Sequence, residues 1–338
     1  MPIDLILRGG RVIDPSQKLD AVTDVAFAGG KVVMVGSELK ADSGTDVRDV
    51  SGYIVTPGLI DLHTHVYWGG TSLGIDAEEF CRTSGVTTAV DTGSAGPGNF
   101  AGFRKHVIEP SQVRILAYLH VSHAGIYGFS HRVMVGESEE MRLMNPIDAV
   151  AVAEANRDLI VGIKVRVGLH ASGTSGIVPL DIALEVAEQV GMPLMAHIDH
   201  PPPSYEEVLA RLRPGDVLTH AFRPFPNTPA TAQGTVKRAV LEARERGVLF
   251  DGQCGDGAAA SRTRQPQAGK CGGCHPHLGP ARRFRLCRRR RRASDRRPQD
   301  CVRGRRHWRR LVAPETIAEI QATRRLGRAA NGCDPAKM

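Results

Sequence analysis

The stretch Pro57-Gly58-Leu59-Ile60-Asp61-Leu62-His63-Thr64-His65 is an apolar run that ends in His-x-His. Such a run has the length and composition of a buried strand. Side chains alternate along a strand, so His63 and His65 share one face. Downstream the chain repeats a strand–helix rhythm. Strands are expected at Val55–His65, Thr87–Thr92, Arg114–Val121, Ile160–Val167, Pro193–Ile198, Asp216–Ala221 and Val248–Asp251. Helices are expected between them, at Asp76–Thr83, Pro146–Ala155, Leu180–Val190, Tyr205–Leu212 and Thr235–Arg246. Repeated βα units with short apolar strands imply a parallel sheet with helices outside. Seven such strands point to an α/β fold of the (β/α)8, TIM-type barrel kind, incomplete at its last strand. No Gly-rich phosphate fingerprint follows the first strand, which argues against a doubly wound sheet. The inward face at the C-terminal ends of barrel strands is where active sites lie, and two imidazoles there are placed to hold a metal ion. The long Gly-rich gap 122–145 reads as a loop over that site.

Upstream, Leu5–Ile13 and Val22–Val35 are β-rich runs broken by Gly9-Gly10 and Gly29-Gly30. Two-residue Gly turns suggest hairpins, so residues 1–55 are expected to form a small antiparallel β unit, a β-sandwich. Residues 56–251 would then be the barrel. The 338-residue chain carries a formal net charge of +8, but that average hides two compositions. Residues 1–251 sum to −8, and residues 252–310 to +15 with 17 Arg and 5 of the 7 Cys. The segment 252–338 is therefore expected to be aberrant: it is poor in Val, Ile and Leu over most of its length and cannot bury enough apolar surface to offset its ordering entropy. No apolar run reaches the ~18–20 residues of a membrane helix. The start Met-Pro-Ile-Asp-Leu shows no secretory leader. A cytoplasmic protein with a small-molecule substrate, no membrane partner and no specific nucleic-acid partner is expected, with a homo-oligomer left open.

Three more residues sit at strand ends or inside strands as His63 and His65 do. His197 follows Met192–Ala196, and His220 follows Asp216–Thr219. Lys164 lies within Ile160-Val161-Gly162-Ile163-Lys164-Val165, where an unpaired cation is expensive to bury. Its head would either reach a loop or an acid, or carry carbon dioxide as a carbamate, an anionic oxygen ligand. Arg166 points to the same face and would bind a substrate carboxylate, support metals or form an ion pair. His123 and His200 read as surface or supporting residues, and Cys81 as a buried structural thiol.

The order His-x-His, Lys, His, His on successive strands resembles the amidohydrolase superfamily, nearest its dihydroorotase-like and D-aminoacylase-like metal-dependent deacetylases. The stretch His63–Gly102, the strand around Lys164, and His197 followed by Pro201-Pro202-Pro203-Ser204 carry the likeness, which covers residues 1–251. The resemblance implies two divalent metal ions, zinc by family habit. His63 and His65 would hold one, His197 and His220 the other, and carbamylated Lys164 would bridge them. It implies hydrolysis of a small amide or ester, deacetylase type, by a metal-bridging hydroxide; cyclic amide hydrolysis and a catalytically dead remnant are the alternatives. Val66-Tyr67-Trp68 stands where dihydroorotases carry a substrate-gripping Arg, which argues against dihydroorotate. Thr92-Gly93-Ser94-Ala95-Gly96 lacks the Cys ligand of D-aminoacylases.

The family's general-base Asp on the eighth strand has no counterpart, so the catalytic residue is left unassigned. Residues from about 252 onward read as translated out of frame. One permitted codon set for Cys271–Ala281, read one base later, gives V-x-D-V-I-P-T-S-D-L-H, a strand with an Asp. Cys271-x-x-Cys274-His275 lacks the exporting context of a haem site and the further ligands of a zinc site. The Arg288–Arg292 run has no recognisable nucleic-acid module around it. An open barrel exposes strand edges and predicts poor solubility.

Overall fold

The computed structural model describes residues 2–130, 132–222 and 226–252, together with the backbone of Phe284–Arg288. Two compact units divide between Leu59 and Ile60.

The first unit holds β1 (Leu5–Asp14), β2 (Leu19–Ala28), β3 (Lys31–Gly36), β4 (Asp46–Asp49) and β5 (Tyr53–Pro57). Gly29-Gly30 turns β2 into β3 as a hairpin. Gly9-Gly10 does not turn: β1 runs straight through it, with a register shift between Leu7 and Gly10. Gly9 sits at φ 74°, and its N–H donates to the buried Asp24 carboxylate at 2.9 Å, which holds the bulge inside the strand. The β1–β2 turn instead falls on Pro15–Gln17, capped by the Asp14 side chain. The unit is also not antiparallel as expected. β4 and β5 both pair with β1 in parallel, one on its first half and one on its second. The expected sandwich is, among the described residues, one connected mixed sheet around Leu7, Val12, Val25, Val50 and Val55.

The run Val55–His65 is likewise two strands, because Gly58 interrupts it: β5 belongs to the first unit, and β6 (Leu59–Thr64) opens the second. There follow β7 (Val86–Thr92), β8 (Arg114–His120), β9 (Ile160–Val167), β10 (Leu194–Ile198), β11 (Val217–Thr219) and β12 (Leu249–Phe250). The seven strands lie in the order β12-β11-β10-β9-β8-β7-β6, and the ladders that join β7 through β12 are parallel. Among the described residues, this is the parallel sheet of a (β/α) barrel without its last strand.

Helices α1 (Ala77–Ser84), α2 (Phe100–Phe103), α3 (Pro146–Ala155), α4 (Val178–Gln189), α5 (Tyr205–Arg211) and α6 (Arg238–Glu245) connect the strands. Their starts are written in local chemistry. Asp76 caps α1, Asn145 caps α3 ahead of Pro146, and Ser204 with Glu207 forms a capping box on α5. Leu180, Ala183, Val186, Tyr205, Val208 and other helix residues pack on Ile163, Val165, Val167, Ala196 and Ile198, the outward residues of the strands. Cys81 is buried in this layer, and burial pushes its thiol up to about 11, as suits a structural role. None of the helices in the described residues is long and apolar enough to cross a membrane.

Within the segment expected to be aberrant, the backbone of Phe284–Arg288 forms β13, antiparallel to β5. The Cys271–His275 cluster, the proposed change of frame and the rest of the Arg-rich segment lie outside the described residues.

Candidate metal centre at the C-terminal ends of the strands

Alternation builds the site. Val90, Leu116, Tyr118, Met195, Val217 and, more loosely, Leu249 form an apolar cluster separate from the helix-facing core. Two residues further on, the same strand faces carry Thr92, His120, His197, Thr219 and Asp251, with Lys164 and Arg166 on β9. The strands thus end in a polar layer standing on an apolar one.

Four imidazoles of this layer form a continuous chain. Ring centroids are 5.6 Å apart for His63 and His65, 4.9 Å for His63 and His220, and 4.6 Å for His197 and His220. His220 is not the last strand residue. Thr219 takes that inward position, and His220 joins the cluster through a left-handed backbone at φ 59°, a conformation costing about 1–2 kcal/mol outside glycine. His65, half-buried, has its Nδ1 2.9 Å from Ser94 Oγ. Burial, and then the neighbouring His63 and Lys164, hold its pKa well below the ordinary value.

Lys164 is the anomaly that the sequence foreshadows. It is 1% exposed, and its Nζ has no hydrogen-bond partner. Its stem packs over Gly93, where a Cβ would come within 2.5 Å of Lys164 Cγ, so the residue that follows β7 must lack a side chain. Burial, and then Arg166, lower its pKa to about 7, against the pull of Asp251, Glu137 and Asp91. Arg166 is also buried. Its Nη1 donates to Glu137 Oε2 at 3.0 Å, and its guanidinium lies 4.8 Å from the Phe129 ring centroid. The Glu137 Oε1 atom stands 3.1 Å from His120 Nε2. Burial pushes the Glu137 carboxyl up, but Arg166 and then His120 outweigh it, so its pKa lies below the usual range. The long segment 121–145 is therefore tied to β8 and β9 by one buried carboxylate. Nothing in the local sequence of Glu137 marks it, since its partners come from other strands.

Two other carboxylates escape motif reading. Asp91, fully buried, accepts from the Val66 and Ser94 N–H groups at 2.8 Å each, fixing the backbone just after His65. Asp251 Oδ2 is 2.9 Å from His63 Nδ1 and accepts from Thr219 Oγ1 at 2.6 Å. Asp251 was legible as a strand end, not as a neighbour of the His-x-His pair. His123 lies at the surface 3.9 Å from Asp148, and His200 stacks edge-on with His170 at 5.3 Å.

The donors fit a divalent cation in kind: imidazoles, a carboxylate, and a buried amine without a partner. They meet pairwise rather than at one point. No group of three His, Cys, Asp or Glu residues among the described residues stands close enough together to hold a metal ion as it is.

This fold and this strand-end layer define a parallel (β/α) barrel sheet with a polar, histidine-rich site at the C-terminal ends of its strands. The chain belongs to the amidohydrolase family, whose profile matches residues 54–224. It is similar to a deacetylase of Agrobacterium fabrum, 40% identical over 204 residues that cover 59% of this chain and 49% of that protein. A deacetylase of Brucella anthropi is 39% identical over 207 residues, covering 60% and 50%. Among solved structures, a dihydroorotase superposes with a TM-score of 0.61 at 31% identity, covering 74% of this chain and 65% of the other. The chain spans about half the length of the curated deacetylases it matches.

Proposed function

We propose that the chain is built for metal-dependent hydrolysis of a small amide or ester, in the manner of a deacetylase. The observation that carries this reading is the layer of His63, His65, His197 and His220 beside a buried Lys164 Nζ that has no partner. His63 and His65 would hold one divalent ion, zinc by preference, and His197 and His220 a second. Lys164, as its carbamate, would offer an oxygen to each. The ammonium first loses one proton; the neutral amine nitrogen then bonds to carbon dioxide and releases a second, so that a stranded cation becomes an anion suited to two metals. When bound, such ions supply a Lewis acid for the substrate carbonyl and bring the pKa of water toward about 7.

The chain's own residues do the rest. Asp91 and Ser94 hold the backbone and ring of the His-x-His segment. The apolar layer below excludes water from the floor of the site. Arg166 is a candidate for the substrate's carboxylate; its pairing with Glu137 favours support of the site over direct binding. A general base is not assigned.

Cyclic amide hydrolysis is the second reading, favoured by the likeness to the dihydroorotase structure. Metal analysis with assays on N-acetyl amino acids, an aryl acetate and dihydroorotate tests both. Two metals per chain with turnover of the acetyl compounds supports the deacetylase reading. Turnover of dihydroorotate alone supports the second. One weak metal without turnover identifies a remnant.

A further inference from the structure

The contacts of His63 carry a further step, which rests on the metal reading above. His63 Nδ1 stands 2.9 Å from Asp251 Oδ2 and 2.9 Å from Thr219 Oγ1, and Thr219 Oγ1 is 2.6 Å from the same Asp251 oxygen. An ionised carboxylate only accepts. Thr219 therefore gives its single hydroxyl proton to Asp251, and its oxygen faces His63 as an acceptor. Two acceptors converging on one ring nitrogen place a proton there, and in the neutral ring, the form that can ligate a cation, Nε2 then carries the lone pair.

We propose that Thr219 and Asp251 are positioning residues that lock His63 in the tautomer and orientation that offer Nε2 to a divalent cation. Neither belongs to the His-x-His, Lys, His, His series. They reach His63 because β11 and β12 end at the same level as β6, each with an inward polar residue. The arrangement follows the general rule that a ligating His donates its other ring N–H to an oxygen. One detail separates positioning from direct ligation by Asp251. Both bonds fall on the single oxygen Oδ2, so an amide oxygen can take both over.

The test uses the full chain, stripped of metal by a chelator and titrated with Co2+, followed by visible absorption and by competition with a chromophoric chelator. Asp251→Ala is expected to weaken Co2+ binding by about 10–100-fold. Asp251→Asn, which keeps the acceptor, is expected to stay within about threefold, and Thr219→Val to lose a few-fold. Equal binding by the unmodified chain and D251A overturns the proposal. So does D251N as weak as D251A, which would make the charge or direct ligation decisive. Thermal melts identify any variant that fails to fold. If D251A does, long-range 1H–15N spectra of the metal-free unmodified chain carry the test: a protonated Nδ1 on His63 supports the proposal, and a protonated Nε2 overturns it. If the unmodified chain binds no Co2+, the metal reading itself falls, and this inference with it.

Discussion

Leu116 and His120 lie on one strand, four residues apart on the same face, with Tyr118 between them, and they belong to different kinds of interior. The lower layer, with Val90, Met195, Val217 and the partly buried Leu249, is apolar. The upper layer buries Lys164, Arg166, His120 and Glu137, and it leaves Lys164 Nζ without a partner. Backbone pairing and burial are alike in the two. What differs is that lower-layer side chains are satisfied by one another, whereas the upper layer holds charges in an arrangement that costs stability. An interior that keeps such a group when an apolar one would pack is organised around something other than packing.

The largest expected effect is a sharp separation of activity from stability at Lys164. Lys164→Met should lower hydrolysis by about three orders of magnitude, the several kcal/mol that metal-assisted polarisation contributes. It should leave the melting temperature unchanged or raise it, since a buried cation gives way to an apolar chain. Turnover and a thermal melt on one preparation check both; retained turnover breaks the comparison. Next, Glu137→Gln removes the counter-charge of buried Arg166 and should cost about 3–5 kcal/mol in urea unfolding. Unchanged stability would mean that the segment 121–145 is not tied down through this carboxylate.

Leu116→Ala tests the lower layer. It should destabilise by about 3 kcal/mol through lost burial and a residual cavity, with hydrolysis per folded molecule little changed. An equal loss of both would show that the two layers are not separable.

The smallest effect concerns Asp91. Burial raises its carboxyl from the ordinary 3.8 to about 6, against hydrogen bonds from Val66 and Ser94 that pull it down. The folded chain holds this proton more tightly than the unfolded chain. Its contribution is therefore fully present below about pH 4 and is lost as pH rises through 6. Relative to Asp91→Asn, the unmodified chain should lose on the order of 2 kcal/mol between pH 4 and 7, read from urea unfolding at each pH. A flat difference would place Asp91 among ordinary carboxylates.

The strand-end histidines and Lys164 could be read in the sequence because their signal is local. An apolar strand flanks each one, and alternation fixes the face. Asp251, Thr219 and Glu137 could not be read as site residues because their meaning lies in their partners. The His63–Asp251 contact spans 188 residues, and no spacing rule connects them. The sequence places His220 within an expected strand Asp216–Ala221, but the strand stops at Thr219 and His220 enters the cluster by a positive φ. Gly9-Gly10 misleads for a related reason: two glycines serve a bulge as readily as a turn, and the choice lies with distant Asp24. The helix starts were the easiest to read, since Asp76, Asn145 and Ser204 act on N–H groups two or three residues away.

β6 and β12 are the two ends of the seven-stranded sheet, and among the described residues no backbone ladder joins them. A side-chain bond from His63 to Asp251 crosses between their tips instead. The seam in the wall and the first candidate ligand are thus the same spot. A ligand on the His63 ring would therefore also load this bond between the two ends of the sheet, which ties occupancy to the closure of the rim.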